Sequence, residues 1–380
     1  MNTKFLKTLY ALAIVGMLAA CAGPAPTPTA APTDTAAASA PASSAAPASA
    51  PASSAAVSSA AAPAAVKLTL AGYSTPAEAY GKIIPLFIAY WKAQHNQDVT
   101  FEQTFAGSGA QARAVVGGLN ADVVALSTGA DVSTIANAKL IARDWQTIEP
   151  NKGIVSTSVV AFAVRKGNPK KISDWADLAQ PGLQILTPDP KTSGGAQWNI
   201  LALYGAALRG KVKGVKAGDE AGATAFLTSV LKNVIAFDKD ARTSITNFES
   251  GNGDVAITYE DEVILGNQRG QDYQLVIPTS TILIETPVAV VDVNSDKNGT
   301  TAVADGFVQF LFSKDAQQVF AQYGFRPTDP TVAAATASQF PAVTDLFTIG
   351  DVFGGWSAAK TKYFGDTGIY TQAITAAQKK

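Results

Sequence analysis

The stretch Lys191-Thr192-Ser193-Gly194-Gly195-Ala196-Gln197-Trp198-Asn199 lies where a predicted strand becomes a predicted helix. Apolar residues at 183–186 indicate the strand, and residues 198–208 carry apolar side chains at helical spacing. The first turn of such a helix has N–H groups without helical partners and a partial positive charge. Ser193 can cap that turn, and the two glycines leave the backbone open to a ligand. The stretch therefore predicts a site for an anion, although an ordinary helix cap has the same residues.

Two further junctions of the chain have the same design. A predicted strand at 99–104 runs into Gly107-Ser108-Gly109 before a helix, and a strand at 234–237 runs into residues 238–244 before another helix. From residue 66 to 380, strand and helix signals alternate, which favours an α/β architecture with mostly parallel sheets. That length is sufficient for two core-forming lobes. The recurrence of the junction favours a binding function over a chance cap.

The first predicted helix of this region follows a strand at 67–70. Thr75 is its expected N-cap, with Pro76 as the first helical residue. Glu78 stands three residues after Thr75, the spacing of a capping box. We therefore expect Glu78 to bond back to the backbone at the helix start.

The N-terminal residues predict a secretory signal that ends at a cysteine. Two lysines precede an apolar stretch, 9–18, that is too short to span a membrane as a mature helix. Small residues then lead to Cys21, the only cysteine of the chain, in a pattern that resembles a bacterial lipobox, whose cysteine is lipidated and becomes the mature N-terminus. We expect residues 1–20 to be a lipoprotein signal peptide. Residues 21–65, rich in Ala, Pro, Ser and Thr, are expected to form a disordered tether.

The residue counts argue against several classes of function. With one histidine and one cysteine, the chain lacks the residues for a Ser–His–Asp or Cys–His system and for a His/Cys metal site. A formal net charge of −1 without a basic run argues against a nucleic-acid partner. Glu260 and Glu262 leave a carboxylate-pair hydrolase open. After a predicted strand at 254–259, however, we expect them to form the solvated first turn of a helix.

The order of the motifs resembles that of the periplasmic sulfate-binding and thiosulfate-binding proteins of ATP-driven importers. The resemblance runs from about residue 67 to 375, nearly the whole predicted folded part. Each matching stretch is weak alone, and together in this order they are specific. They are 107–113, 118–124 (GLNADVV), 164–169 (VRKGNP), 190–199 (PKTSGGAQWN), 241–242, 253–255, 323–327 and 353–356.

This resemblance implies a two-lobed type II periplasmic binding protein fold, with hinge-linked lobes and mostly parallel sheets. Lobe one would hold residues 66–157 and 286–350, and lobe two residues 158–285. A C-terminal helical tail, 351–380, would pack on the lobes. The ligand would lie in the cleft between them, and the lobes would close over it.

The resemblance also implies which residues bind the ligand. The expected donors are the main-chain N–H of Ser74, the hydroxyl of Ser108, the hydroxyl of Ser193, and the N–H groups of Gly194, Gly195 and Ala241. The family often adds an indole N–H just before the acidic run, where this chain has Tyr259. Gln197 stands where the family has an arginine, and Ser74 where it has an aspartate. Arg113 and Arg242 are expected to hold the turns without contacting the ligand.

A cleft of uncharged donors suits sulfate, which carries no proton near neutral pH and can accept every hydrogen bond. Monohydrogen phosphate would direct its own O–H at donors, at a cost of ~1–3 kcal/mol or more. The resemblance implies an extracytoplasmic lipoprotein, anchored through Cys21, that delivers sulfate to an ABC-type permease. We expect a monomer without enzymatic activity, metal or other cofactor. Thiosulfate, less readily molybdate or phosphate, and a ligand sensor on the same fold remain the alternatives.

Overall fold

The computed structural model describes residues 63–379. The signal peptide, Cys21 and nearly all of the predicted tether lie outside the described residues.

Eleven strands occur in the described part of the chain. They are β1 (Val66–Tyr73), β2 (Val99–Ala106), β3 (Val123–Ala125), β4 (Ile154–Arg165), β5 (Ile185–Pro188), β6 (Val234–Asp238), β7 (Val255–Tyr259), β8 (Tyr273–Val276), β9 (Ser280–Val290), β10 (Arg326–Pro327) and β11 (Asp345–Phe347).

Fifteen α-helices lie between and after these strands in residues 63–379. They are α1 (Ala77–His95), α2 (Ser108–Val116), α3 (Gly129–Asn137), α4 (Trp145–Ile148), α5 (Gly194–Leu208), α6 (Glu220–Leu231), α7 (Ala241–Glu249), α8 (Glu260–Gln268), α9 (Asp292–Asn298), α10 (Thr301–Phe310), α11 (Lys314–Gln322), α12 (Pro330–Thr336), α13 (Ile349–Phe353), α14 (Trp356–Ala359) and α15 (Ile369–Gln378). Short 3-10 turns at Pro150–Gly153, Trp175–Ala179 and Ala337–Gln339 and a π-helix at Lys360–Phe364 complete the set.

One mixed sheet connects all of these strands, and its main path runs β2-β1-β3-β9-β4-β7-β5-β6. Parallel pairs prevail at each end of this path, where β1 lies beside β2 and β3, and β5 lies beside β6 and β7. In the middle, β4 and β9 pair antiparallel with each other from Val159 and Leu283 to Ile154 and Pro287. Each of these long strands continues into one end of the sheet. The architecture is therefore α/β, as expected.

The two middle strands are longer than their apolar runs suggested. Sequence patterns predicted strands at 158–164 and 287–291, whereas β4 begins at Ile154 and β9 at Ser280. The additional residues include polar ones, among them Ser156 and Thr286, which hydrogen-bond to each other through their hydroxyls at 2.7 Å. Because both side chains are buried and paired, polar residues continue strands that hydropathy alone would end.

The start of α1 differs from the prediction. The helix begins at Ala77 with Pro76 as N-cap, and no side chain caps it. Glu78 does not bond back to the backbone but forms ion pairs with Arg242, at 3.5 Å, and with Arg269. The expected capping box is therefore absent at this helix, because Glu78 pairs with more distant residues.

The central helix and the C-terminal segment pack together. Helix α5 is buried along nearly its whole length, and Ser193 precedes its first residue. The indole of Trp356 packs edge-on against that of Trp198, with ring centroids 4.5 Å apart. The core beneath the site thus includes aromatic residues from the end of the chain. Within residues 63–379, no helix is both long and apolar enough to cross a membrane.

Candidate functional site

The Ser-Gly-Gly turn, residues Ser193, Gly194 and Gly195, opens helix α5 as the sequence predicts. Ser193 has an extended backbone, and its Oγ accepts a hydrogen bond from the N–H of Ala196 at 3.3 Å. Within residues 63–379, no hydrogen-bond partner is present for the N–H groups of Gly194 and Gly195. All three residues are buried. The turn therefore holds two unpaired main-chain donors and one hydroxyl proton in a site shielded from water.

Tyr259 and Ser127 lie directly against the Ser-Gly-Gly turn. A Cβ on Gly195 would lie 2.7 Å from the Tyr259 ring, and one on Gly194 would lie 2.7 Å from Ser127 Oγ. The two hydroxyls are 2.6 Å apart, and either can donate to the other. The indole N–H of Trp198 donates to the Ser127 carbonyl at 2.8 Å. Only glycine fits at 194 and 195, because the neighbouring side chains approach the backbone itself.

Ser108 reaches the same place from the other end of the sheet. Its Oγ accepts from the N–H of Ser127 at 2.9 Å and donates to Asp131 Oδ2 at 2.6 Å. The single hydroxyl proton of Ser108 is thus used by Asp131, so the predicted hydroxyl donor is engaged within the protein in this structure. The main-chain N–H of Ser108 has no partner within residues 63–379, as expected for the first residue of a helix. The main-chain N–H of Ser108 therefore remains available as a donor, whereas the hydroxyl of Ser108 is already engaged.

The third predicted junction lies beside the first two. Asp240 caps α7, and the N–H of Ala241 has no partner within the described residues. The next N–H, that of Arg242, donates to Ser74 Oγ at a long 3.5 Å. Thr192, in the loop before the Ser-Gly-Gly turn, donates its hydroxyl to the Lys239 carbonyl at 2.8 Å. The starts of α2, α5 and α7 therefore converge, together with Ser74 from the loop after β1.

The acidic run Glu260–Glu262 is buried, which corrects the expectation of a solvated first turn. Arg326 holds Glu260 with two hydrogen bonds of 2.7 and 2.8 Å, and Ser158 donates to Asp261 at 2.7 Å. Helix α8 does begin at Glu260, so the predicted helix start was right, and the predicted exposure of its first turn to solvent was wrong. Partners far along the chain decide the burial of these side chains.

Glu262 is the least satisfied member of this run. Arg242 Nη2 lies 3.2 Å from its Oε2, but within residues 63–379 neither carboxylate oxygen has a partner with hydrogen-bond geometry. Burial raises the pKa of Glu262 to about 7, and the nearby Arg242 charge partly opposes that rise. Burial likewise raises the pKa of Asp261 well above its ordinary value, which keeps both carboxyl groups prone to hold a proton.

Burial also raises the pKa of the Tyr259 phenol well above its ordinary value, against the opposing effect of its hydrogen bond to Ser127. The phenol therefore keeps its proton at neutral pH and can act as a donor.

Arg242 and Arg113 differ in their surroundings. Arg242 donates to the Thr75 carbonyl at 3.1 Å and lies beside Glu262, so it has the contacts of a residue that holds a turn. Arg113 is exposed and makes no side-chain hydrogen bond within residues 63–379. It lies one turn after Gly109 on α2, where it lines a surface cavity. Cys21 lies outside the described residues.

Sequence reasoning missed two members of this site, Ser127 and Asp131. Both follow the short buried strand β3, and Thr128 caps helix α3 by accepting from the Asp131 N–H at 3.1 Å. The Thr128-x-x-Asp131 spacing was a signal for this helix start. Nothing local in the sequence indicated that the start would meet Tyr259 and Ser108. No group of three or more His, Cys, Asp and Glu side chains in residues 63–379 could hold a metal ion.

The fold, with unpaired main-chain donors at three converging helix starts, defines the class of protein: a solute-binding protein of the periplasmic type. Residues 68–326 match the model of a family described as bacterial extracellular solute-binding protein. A sulfate-binding protein of Synechocystis is 45% identical over 314 residues, which are 82% of this chain and 87% of the relative. The sulfate-binding protein of Escherichia coli is 40% identical, over 81% and 92% of the two chains.

The thiosulfate-binding protein of Pseudomonas aeruginosa is 35% identical to this chain over 81% of its length and 92% of the relative. The solved sulfate-binding protein SubI of Mycobacterium tuberculosis superposes with a TM-score of 0.72 at 35% identity, covering 79% of this chain and 99% of that one. A periplasmic thiamin-binding protein, at 15% identity and a TM-score of 0.60, shares the fold alone. The chain belongs to the sulfate/thiosulfate-binding family of extracellular solute-binding proteins, which are not enzymes.

Proposed function

We propose that this protein captures sulfate outside the cytoplasm and delivers it to the permease of an ABC-type importer. The observation that carries the proposal is the convergence of unpaired N–H groups at the starts of α2, α5 and α7. Relatives that bear the names sulfate-binding and thiosulfate-binding protein support the same ligand class. Thiosulfate is the alternative ligand.

The donors in the proposed site are uncharged. Main-chain N–H groups of Ser74, Ser108, Gly194, Gly195 and Ala241, with the hydroxyls of Ser193 and Tyr259, would surround the anion. A fully ionised oxyanion satisfies such donors with its own lone pairs and needs no buried countercharge. Sulfate is fully ionised near neutral pH and fits this description.

Discrimination against phosphate would follow from the proposed donor set, which includes no carboxylate. Asp131 lies behind Ser108, whose proton its Oδ2 accepts at 2.6 Å. The proton of monohydrogen phosphate would then meet donors, at a cost of ~1–3 kcal/mol. We expect phosphate to bind much more weakly than sulfate.

Ligand capture would close two lobes, 66–157 with 286–350 and 158–285, with the tail 351–380 packed on them. Contacts between these proposed lobes support a closed form. Arg242 donates to the Thr75 carbonyl, and Ser127 and Tyr259 share a hydrogen bond. Neither lobe alone could satisfy all four sulfate oxygens, so the ligand stabilises closure.

A lipid anchor on Cys21, with residues 22–65 as a tether, would keep the protein at the membrane that holds the permease. The lipobox-like pattern supports this part of the proposal. Metabolic labelling with a radioactive fatty acid tests it: label should enter the wild-type chain and not Cys21→Ser. Equal labelling of both chains would contradict the anchor.

Isothermal titration of the full chain with sulfate, thiosulfate, molybdate and phosphate tests the ligand. We expect one sulfate ion to bind tightly to each chain, and phosphate to give little heat of binding. Ser193→Ala should weaken sulfate binding by about 1–3 kcal/mol, because a donor to a charged ligand is lost. Failure of every anion to bind, or equal binding of phosphate, would contradict the proposal.

Ser313→Ala is the matched control for this variant. Ser313 caps α11 by accepting from the Ala316 N–H at 3.3 Å, the distance at which Ser193 accepts from Ala196. Both variants should lose about 0.5–2 kcal/mol of folding free energy through the lost cap. Only Ser193→Ala should lose sulfate affinity, which separates the two roles of that hydroxyl.

A further inference from the structure

A cavity of about 240 Å³ lies beside the loop that leads into the Ser-Gly-Gly turn. Four parts of the chain form it: the first turns of α2, the loop before α5, the first turn of α5, and the C-terminal segment. Its lining includes Gly109, Arg113, Lys191, Gln197, Lys360 and Tyr370. The cavity thus adjoins two elements of the proposed sulfate site without being that site.

The charges of the lining are all positive. Arg113, Lys191 and Lys360 line the cavity, and no acidic residue is among the lining side chains. Within residues 63–379, none of these three cations forms an ion pair. Two carboxylates lie near the cavity without lining it: Asp189 accepts from the main-chain N–H of Lys191, and Asp131 accepts from Ser108. Neither forms an ion pair with the three cations, and three cations around one cavity without an ion-pair partner favour an anion there.

Lys360 is the most buried of the three cations that line this cavity. It is half-buried, and its ammonium donates only to the neutral Oε1 of Gln197, at 3.3 Å. Lys360 and Phe364, the first and last residues of the π-helix, both line the cavity. A half-buried ammonium with a single neutral partner is incompletely compensated, and an anion would supply the missing charge.

Two hydrogen bonds separate this cavity from the proposed sulfate site. Gln197 donates to the Pro190 carbonyl at 2.9 Å, and the N–H of Ala110 donates to the Thr192 carbonyl at 3.1 Å. Two residues of the cavity wall are also close to the site along the chain: Gly109 follows Ser108 directly, and Lys191 lies two positions before Ser193. An anion held there would lie next to the place where α2 meets the loop before α5.

We infer that this cavity is a second and weaker binding site for a small inorganic oxyanion, which collects sulfate beside the cleft. The identity of the anion rests on the proposed function, whereas the existence of the site rests on the three cations. Because its cations are partly exposed, its affinity should fall steeply with salt. The cleft, with its buried neutral donors, should be less sensitive.

Equilibrium dialysis of the full chain against radiolabelled sulfate at low ionic strength tests the inference. We expect two classes of site in the wild type, one tight and one weak, and only the tight one in Lys360→Gln. Lys362→Gln is the matched control, because Lys362 lies on the same turn but pairs with Glu220 on the surface, at 2.6 Å. This control should keep both classes.

The outcomes separate the inference from the proposed function. A tight class alone in the wild type, or a weak class that persists in Lys360→Gln, would overturn the second site. A weak class alone that disappears in Lys360→Gln would support the second site and overturn the proposed cleft. Retention of the tight class in Lys360→Gln shows that the variant is folded.

Discussion

The Ser-Gly-Gly turn lies at the start of α5, and an ionic cluster joins Glu78, Arg242 and Glu262, at the starts of α1, α7 and α8, with Arg269 at the end of α8. The two regions are built differently. In the turn, the nearest groups are hydroxyls, an aromatic ring and unpaired N–H groups. In the cluster, ion pairs join α1, α7 and α8, and the buried carboxylate is short of donors. Under the proposed function, the neutral donors would bind the anion, and the charged groups hold the surrounding elements together.

The sharpest test of the Ser-Gly-Gly turn is Gly195→Ala. The added methyl would lie 2.7 Å from the Tyr259 ring and would displace the backbone donors from the phenol. We expect sulfate affinity to fall about 100-fold, or ~3 kcal/mol, in isothermal titration. This is the largest effect that we predict for a single residue.

Gly81→Ala is its control, because no atom lies within 4 Å of the added methyl in helix α1. Alanine there should leave affinity unchanged and raise folding stability by about 0.5–1 kcal/mol. Equal affinity of the Gly195→Ala variant and the wild type would mean that the turn does not bind the ligand.

In the ionic cluster, Arg242→Gln should weaken sulfate binding less than Gly195→Ala does. The change removes the cation beside Glu262 and the contact with the Thr75 carbonyl, so the closed arrangement loses a link. We expect about tenfold weaker sulfate binding, ~1.4 kcal/mol, in the same titration. Arg269→Gln removes a pair with Glu78 but none with Glu262, and it should change affinity little. If the two variants behave alike, Arg242 has no special role in closure.

The smallest predicted change concerns folding stability and pH. The pKa of Glu262 rises from its ordinary 4.5 to about 7 in the folded chain. The folded state therefore binds the proton more readily, and Glu262 lowers the free energy of unfolding as pH rises from about 4.5 to 7. The slope is at most about 1.4 kcal/mol per pH unit.

Urea unfolding of wild type and Glu262→Gln across that range measures this contribution. The stability of wild type minus that of the variant should decline with rising pH. A constant difference between wild type and Glu262→Gln across this range would show that folding does not raise the pKa of Glu262.

Local patterns were enough to predict the helix starts that form the site. Ser193, Gly194 and Gly195 were predictable because a cap and two open backbone positions leave a clear pattern in the sequence. The capping box at Thr75 and Glu78 was wrong although its pattern was as clear, since Glu78 pairs with Arg242 and Arg269. A local rule holds where no distant partner offers the side chain a stronger interaction.

The sequence by itself determined the class of fold, the three helix starts and the lack of residues for catalysis by histidine or cysteine. These follow from residue types and short spacings, which act over a few positions. Only the tertiary structure decided that Glu260–Glu262 are buried, that Ser127 meets Tyr259, and that Asp131 takes the Ser108 proton. Burial and hydrogen-bond partners depend on segments 23 to 132 residues apart along the chain, and no short pattern contains that information.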